Sequence, residues 1–136
     1  MGRGIMFIFV YGTLRKGGGL NFKIQDLKEP LGTFRTLPKY TLYDMGCPCL
    51  SAGGETSVVG EVYHINDLSE IAHIHNMEVR AGYSLEEVEL FDFSDKVYAY
   101  LQTPEAGWQV GTVESGDWIQ YRSGIIYDED QARTGR

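Results

Sequence analysis

The stretch Ile5-Met6-Phe7-Ile8-Phe9-Val10-Tyr11-Gly12-Thr13-Leu14 decides how the rest of the chain is read. Its first six residues are apolar without interruption, and β-branched and aromatic types dominate. A half-exposed strand would alternate, so the unbroken run predicts a central strand buried on both faces. Tyr11-Gly12 ends the run, and Arg15-Lys16-Gly17-Gly18-Gly19 follows. That segment is a loop, because consecutive glycines lose too much backbone freedom on ordering to hold a regular element. Glycine at the strand end lets a small ligand come close to backbone N–H groups, a geometry suited to a carboxylate or carbonyl oxygen. A simple turn would use the same residue.

Outward from this strand, Leu20, Phe22, Ile24 and Leu27 give Leu20 to Lys28 the pattern of a short helix before Pro30. Strands are expected at Leu31 to Arg35, Tyr40 to Met45 and Ser57 to Ile65, separated by Pro38, by Gly46 to Pro48 and by Gly53-Gly54. Pairing in sequence order would make them a meander. Asp67-Leu68-Ser69-Glu70 has the form of a capping box, so a helix begins near Leu68. Leu68, Ile71, Ala72 and His75 would share its inner face, and a run to about Met77 leaves Glu78 at or just past its last turn. Tyr83 to Phe91 and Lys96 to Gln102 predict further strands. In the second, Val97, Ala99 and Leu101 alternate with Tyr98 and Tyr100 as on a half-buried strand. Ser115-Gly116-Asp117-Trp118 reads as a turn into a final segment, and residues from Asp128 onward as a frayed polar tail.

The length of 136 residues suits one core, taken as a domain over residues 1–127 with the tail at 128–136. Seventeen glycines against four prolines mark tight turns between short strands rather than linkers. A net charge of −7 repels phosphate backbones and anionic lipid, so neither nucleic acid nor a membrane surface is the expected partner. A small molecule is. No apolar run approaches the ~20 residues of a membrane span, and the apolar residues after Met1-Gly2-Arg3-Gly4 are too few for a signal-peptide core. Cys47 and Cys49 lie too close for an ordinary disulfide and lack the second pair of a zinc site. Reduced thiols in the cytoplasm are the expectation.

Several chemistries fail on spacing. Gly12 and Gly17 have the gap of a phosphate-binding loop, but Gly18 and Gly19 stand where Lys and Ser or Thr are required. No G-x-G-x-x-G opens a helix. His73 and His75 fall about 200° apart around a helix, unlike the i, i+4 pairs of zinc helices, and with His64 they read as packing or surface residues. No serine has the G-x-S-x-G setting, and neither cysteine has a paired base nearby in sequence. Glu86, Glu87 and Glu89 form a solvated run. Glu78 follows Ile74-His75-Asn76-Met77 and precedes Val79, a setting that would hold its carboxyl against apolar surface and raise its pKa into the range of a usable general base.

Val10-Tyr11-Gly12-Thr13-Leu14 resembles the Tyr-Gly-Ser/Thr-Leu signature of gamma-glutamyl cyclotransferase-like proteins. Leu31-Gly32-Thr33-Phe34, the Pro48 segment, Val59-Gly60-Glu61-Val62-Tyr63, Met77-Glu78, Tyr83 and Gly116-Asp117-Trp118 follow in the family's order over about residues 6 to 120. The resemblance implies an α+β fold, a small mixed β-barrel flanked by short helices, with substrate held at its mouth. It implies that Glu78 is the catalytic base, that Tyr11, Gly12, Thr13 and Leu14 form the substrate loop, and that Tyr83 is the aromatic following the glutamate. Tyr11 to Leu14 should line the largest pocket with a polar mouth. The implied reaction is intramolecular aminolysis of a gamma-glutamyl amine or amino acid to 5-oxoproline, with no metal or other cofactor. Val79 stands where the family often has Gly, and Leu85 where Arg commonly follows the Tyr by two; Arg80 is a candidate for the displaced positive charge. The alternatives are a non-catalytic small-metabolite-binding module of the same fold and an interaction domain using a tyrosine-rich surface.

Overall fold

The computed structural model describes residues 6–123, so Ile5, the end of the expected domain and the polar tail lie outside it. Its strands are β1 (Met6–Val10), β2 (Gly32–Arg35), β3 (Tyr40–Asp44), β4 (Pro48–Ala52), β5 (Val59–Ile65), β6 (Ser84–Val88), β7 (Val97–Leu101) and β8 (Gly111–Thr112). They form one mixed sheet in the order β2-β5-β1-β7-β4-β3-β8, with β6 on β7, curled into a half-barrel beside a few short helices.

β1 is central, as its composition requires. It runs antiparallel to β5, with Ile8 opposite Tyr63, and parallel to β7, with Ile8 beside Tyr98. Its alternating side chains serve two apolar clusters. Phe9 packs with Leu42, Leu50 and Val97 on one face; Ile8 and Val10 pack with Ile24, Ile71 and Ile74 beneath the helices on the other. β7 is likewise buried on both faces. Val97, Ala99 and Leu101 join the first cluster while Tyr100 joins the second, so the half-buried reading of that strand is corrected. Alternation in β7 separates two packed layers rather than core from water.

The expected meander does not form. β2 pairs with β5, Thr33 opposite Glu61, and β3 pairs with β4, a strand the sequence reading passed over as turn. β4 then runs parallel to β7, Leu50 beside Leu101. A strand has two edges, and β6 occupies one edge of β7, so β1 and β4 share the other and part along it. This fork in the sheet is where the site lies.

Among the helical segments, the expected Leu20–Lys28 helix shrinks to a 3-10 turn at Asn21–Ile24. Asp67 caps the next, its Oδ1 accepting from Ser69 N at 2.8 Å, while Glu70 accepts from Asn66 Nδ2 at 2.8 Å. A 3-10 turn at Leu68–Ile71 leads into α1 (Ala72–Arg80), which runs past Met77 and so includes Glu78. Ile71 and Ile74 form the inner face; Ala72 is exposed, contrary to expectation. Residues 118–123 are helical, and Asp117 Oδ1 caps them by accepting from Gln120 N at 3.1 Å.

Candidate active site

The fork is filled by Tyr11, the first residue beyond β1. Its hydroxyl donates to Tyr100 O on β7 at 2.5 Å and accepts from Leu50 N on β4 at 3.2 Å. It thereby replaces a stretch of strand ladder where β1 and β4 diverge. Burial raises this phenol far above its ordinary pKa, against the lowering effect of the Leu50 N–H and with a further push from Glu78, so it stays a neutral hydroxyl. Tyr11 contributes a ring wall to the site, and its hydroxyl is committed to holding the sheet.

The chain then turns sharply under Pro48. A Cβ on residue 12 would lie 2.2 Å from Pro48 Cγ and 2.8 Å from Pro48 Cβ, so Gly12 is required by close approach. The carbonyls of the loop are all occupied. Gly12 O accepts from Arg15 N at 3.0 Å, Thr13 O from Leu20 N at 2.9 Å, Leu14 O from Asn21 Nδ2 at 2.8 Å and Arg15 O from Gly18 N at 2.8 Å. The N–H groups of Gly12, Thr13 and Leu14 donate to no acceptor among the described residues. A loop with occupied carbonyls and unoccupied amides is suited to an oxyanion or carboxylate.

Glu78 reaches the same place from α1. The helix closes with a Schellman pattern: Tyr83 N donates to Glu78 O at 3.0 Å and Gly82 N to Val79 O at 3.0 Å. Gly82 takes φ +98°, and a Cβ there would also meet Gln102 Oε1 at 2.5 Å. This reversal brings Tyr83 back beside Glu78. The Tyr83 hydroxyl donates to Pro48 O at 2.6 Å and lies 3.6 Å from Cys47 Sγ, so the same tyrosine fixes the segment that covers Gly12. Burial first, then Cys47 and neighbouring ionisable groups, push the Tyr83 phenol well above its usual range.

The Glu78 carboxyl is half-buried and accepts no hydrogen bond from any described residue; burial alone raises its pKa from 4.5 to about 7. Tyr100 lies nearby, its pKa pushed up to about 12 by burial and by the charge of Glu78, and its hydroxyl pairs with His75 Nδ1 at 2.9 Å. All six residues singled out from the sequence, Tyr11, Gly12, Thr13, Leu14, Glu78 and Tyr83, line one cavity of about 180 Å³. It is not the largest depression: more open ones of about 370 and 600 Å³ lie elsewhere and contain none of the six. The expectation of size is corrected: the larger depressions are more open surface hollows, and the six residues line a smaller and less open one.

Sequence reasoning missed Leu20, Cys47, Met77 and Tyr100 in this lining. Tyr100 had a signal, the alternation of β7, but that pattern names a face and not what the face meets. Val79 is 50% exposed, and neither it, Leu85 nor Arg80 lines the cavity. Arg80 therefore does not supply the displaced charge; among the described residues no Arg or Lys lines the cavity. The histidines separate: His75 meets Tyr100, His73 Nε2 lies 3.2 Å from Lys23 O, and the His64 ring lies tilted beside Phe7. Cys47 and Cys49 are free thiols. Glu86, Glu87 and Glu89 are exposed, as their run suggests. No described helix is long and apolar enough to cross a membrane.

Comparison with known proteins places this arrangement. The Escherichia coli K12 protein YtfP, a gamma-glutamylcyclotransferase family protein, is 35% identical over 115 residues, 84% of this chain and 96% of its own. A Vibrio cholerae relative is 34% identical over 114 residues, 83% of this chain and 95% of its own. The crystal structure of PH0828 from Pyrococcus horikoshii superposes with a TM-score of 0.73 at 28% identity, covering 90% of this chain and 97% of that one. The sequence pattern of the gamma-glutamyl cyclotransferase, AIG2-like family matches residues 8–120, from within β1 through the loop, Glu78 and Asp117. The fold is shared with the Pyrococcus horikoshii structure, and the chain belongs to the gamma-glutamyl cyclotransferase, AIG2-like family.

Proposed function

We infer that the cavity catalyses intramolecular aminolysis of a gamma-glutamyl amine or gamma-glutamyl amino acid, releasing 5-oxoproline and the amine formerly attached. The observation that carries this reading is Glu78: a carboxyl with a pKa near 7 and no hydrogen-bond donor among the described residues, in one cavity with three unoccupied loop amides. In the reaction the substrate's α-amine attacks its own γ-carbonyl. Glu78 takes a proton from the α-ammonium, the nitrogen lone pair forms the ring C–N bond, and the carbonyl electrons move to oxygen. As the oxyanion collapses, the bond to the leaving nitrogen breaks and Glu78 returns the proton to it, while the second proton that the ring nitrogen must lose passes to solvent water and leaves a neutral lactam.

Each part has a physical reason. Nucleophile and electrophile share one molecule, so holding the folded conformer supplies up to ~7–11 kcal/mol of the barrier. Donors aimed at the developing oxyanion are worth about 3 kcal/mol each, and the amides of Gly12 to Leu14 are the candidates. A carboxyl near 7 accepts a proton from an ammonium more readily than one at 4.5, and it is still a stronger acid than an alkylammonium, so returning the proton to the leaving nitrogen stays downhill. No cofactor takes part in these steps. We place the protein in the cytoplasm, where Cys47 at the cavity wall stays a thiol. The departures from the family pattern at Val79 and Leu85 fall outside the cavity lining, which supports catalysis over a silent binding module.

Incubation of the purified protein with a panel of gamma-glutamyl amines and amino acids, with 5-oxoproline as the readout, tests the reading. Turnover of one class supports it. Saturable binding without 5-oxoproline would move the binding module in front.

A further inference from the structure

Glu61 is a buried carboxylate that the reaction above does not use. It sits on β5 opposite Val10, the residue from which β1 passes into the loop, and 8% of its side chain is exposed. Both of its oxygens face Lys16 N, at 3.0 and 3.3 Å, and Tyr63 OH donates to Oε1 at 3.3 Å. Arg15, itself buried, sets its Nε 3.7 Å from Glu61 Oε2 and donates from NH1 to Asp117 Oδ1 at 2.9 Å. That Nε forms no hydrogen bond, so toward Glu61 the guanidinium acts through its charge. Asp117 in turn caps the helix that starts at residue 118.

Apolar packing would hold a loop with less desolvation than a buried charge network. What the carboxylate adds is direction. It fixes where Lys16 N–H points and hence the plane of the 15–16 peptide; the bond from Arg15 N to Gly12 O fixes the 14–15 peptide. The same bond holds Gly12 O and so the 12–13 peptide that carries Thr13 N–H, and the bond from Leu20 N to Thr13 O at 2.9 Å holds the 13–14 peptide that carries Leu14 N–H. We propose that Glu61, balanced by Arg15 and Asp117, is the positioning residue that holds the Gly12–Leu14 amides toward the cavity and sets turnover rather than substrate binding. This rests on the cyclisation reading. Donors aimed at an oxyanion act more strongly on the transition state than on the ground state, whereas the cavity walls bind both.

The test is Glu61→Gln, which keeps the shape and one acceptor for Lys16 N–H but removes the charge facing Arg15. The expected result is a fall in kcat of about 10–100-fold per folded molecule with KM within about twofold. Asp117→Asn keeps a capping oxygen and loosens Arg15; it should show a smaller loss in the same direction and serves where Glu61→Gln folds poorly. A second readout needs no turnover: amide resonances of Gly12, Thr13 and Leu14 should move in either variant. Unchanged kcat, a rise in KM alone, or unmoved amides at 12–14 overturns the proposal. If the unmutated protein releases no 5-oxoproline, the cyclisation reading fails by itself, and the amide resonances then decide the positioning role.

Discussion

Replacing Glu78 with Gln should abolish 5-oxoproline release and, in the same protein, raise thermal stability above neutral pH. Gln fits the same space and keeps an acceptor oxygen, but it cannot take a proton from the α-ammonium; loss of the base alone costs ~10²–10⁴-fold in rate. The stability effect follows from burial. In the folded state Glu78 titrates at about 7, against 4.5 for the free side chain. Below 4.5 both the folded and unfolded chains hold the proton, and the residue's contribution is fully present. Between 4.5 and 7 the unfolded chain releases the proton while the folded one keeps it, so stability falls as pH rises. Above 7 the loss is complete. At ~1.4 kcal/mol per pH unit the full gap is ~3.4 kcal/mol, and solvent reaching the carboxylate through the cavity mouth screens it to ~1–2 kcal/mol. Thermal melts of the two proteins at pH 5 and pH 8.5 test this, because every other titrating group is common to both. The variant's advantage should open with pH to ~3–6 °C. A difference that stays constant with pH, or turnover that survives, would refute the assignment of Glu78 as a desolvated base.

Three further outcomes follow from the same geometry. The acidic limb of the kcat/KM profile should fall with an apparent pKa near 7, the value burial gives Glu78, and a limb near 4.5 in steady-state assays would show a carboxylate in ordinary water. Gly12→Ala places a methyl 2.2 Å from Pro48 Cγ and should cost ~1–3 kcal/mol in denaturant melts together with most activity; adding Pro48→Ala should restore part of both. Tyr83→Phe removes the 2.6 Å bond to Pro48 O and should cost ~1–3 kcal/mol by chemical denaturation, with KM rising as the covering segment loosens. An unchanged KM and midpoint would show that the hydroxyl does not hold that segment.

Much of the site was legible in the sequence because its signals are local. A short unbroken apolar run rich in β-branched and aromatic residues suits a strand covered on both sides, and β1 is central. The asparagine-, glycine- and acid-bearing turns after it, and the Asp67 cap, act through atoms a few residues apart. The setting of Glu78 was readable from its apolar neighbours. Gly82 carried a further local signal, a left-handed residue four positions on, that would have ended α1 at Arg80 rather than Met77.

What only the tertiary structure decided is which distant segments meet. No local pattern distinguishes β2 pairing with β5 from β2 pairing with β3, because both satisfy the same alternation; closing the curled sheet selects between them. The fork that β1 and β4 make on β7 follows from that closure, and so does the use of the Tyr11 hydroxyl to bridge it. Arg15 and Asp117 are 102 residues apart in sequence, Lys16 and Glu61 45 apart, and Tyr83 and Pro48 35 apart. The family resemblance pointed to Glu78 and the Tyr11–Leu14 loop as candidates, and short-range signals placed each of them at an element's end. Their meeting in one cavity was set by pairings across the whole chain, whose energies appear only when the sheet is complete.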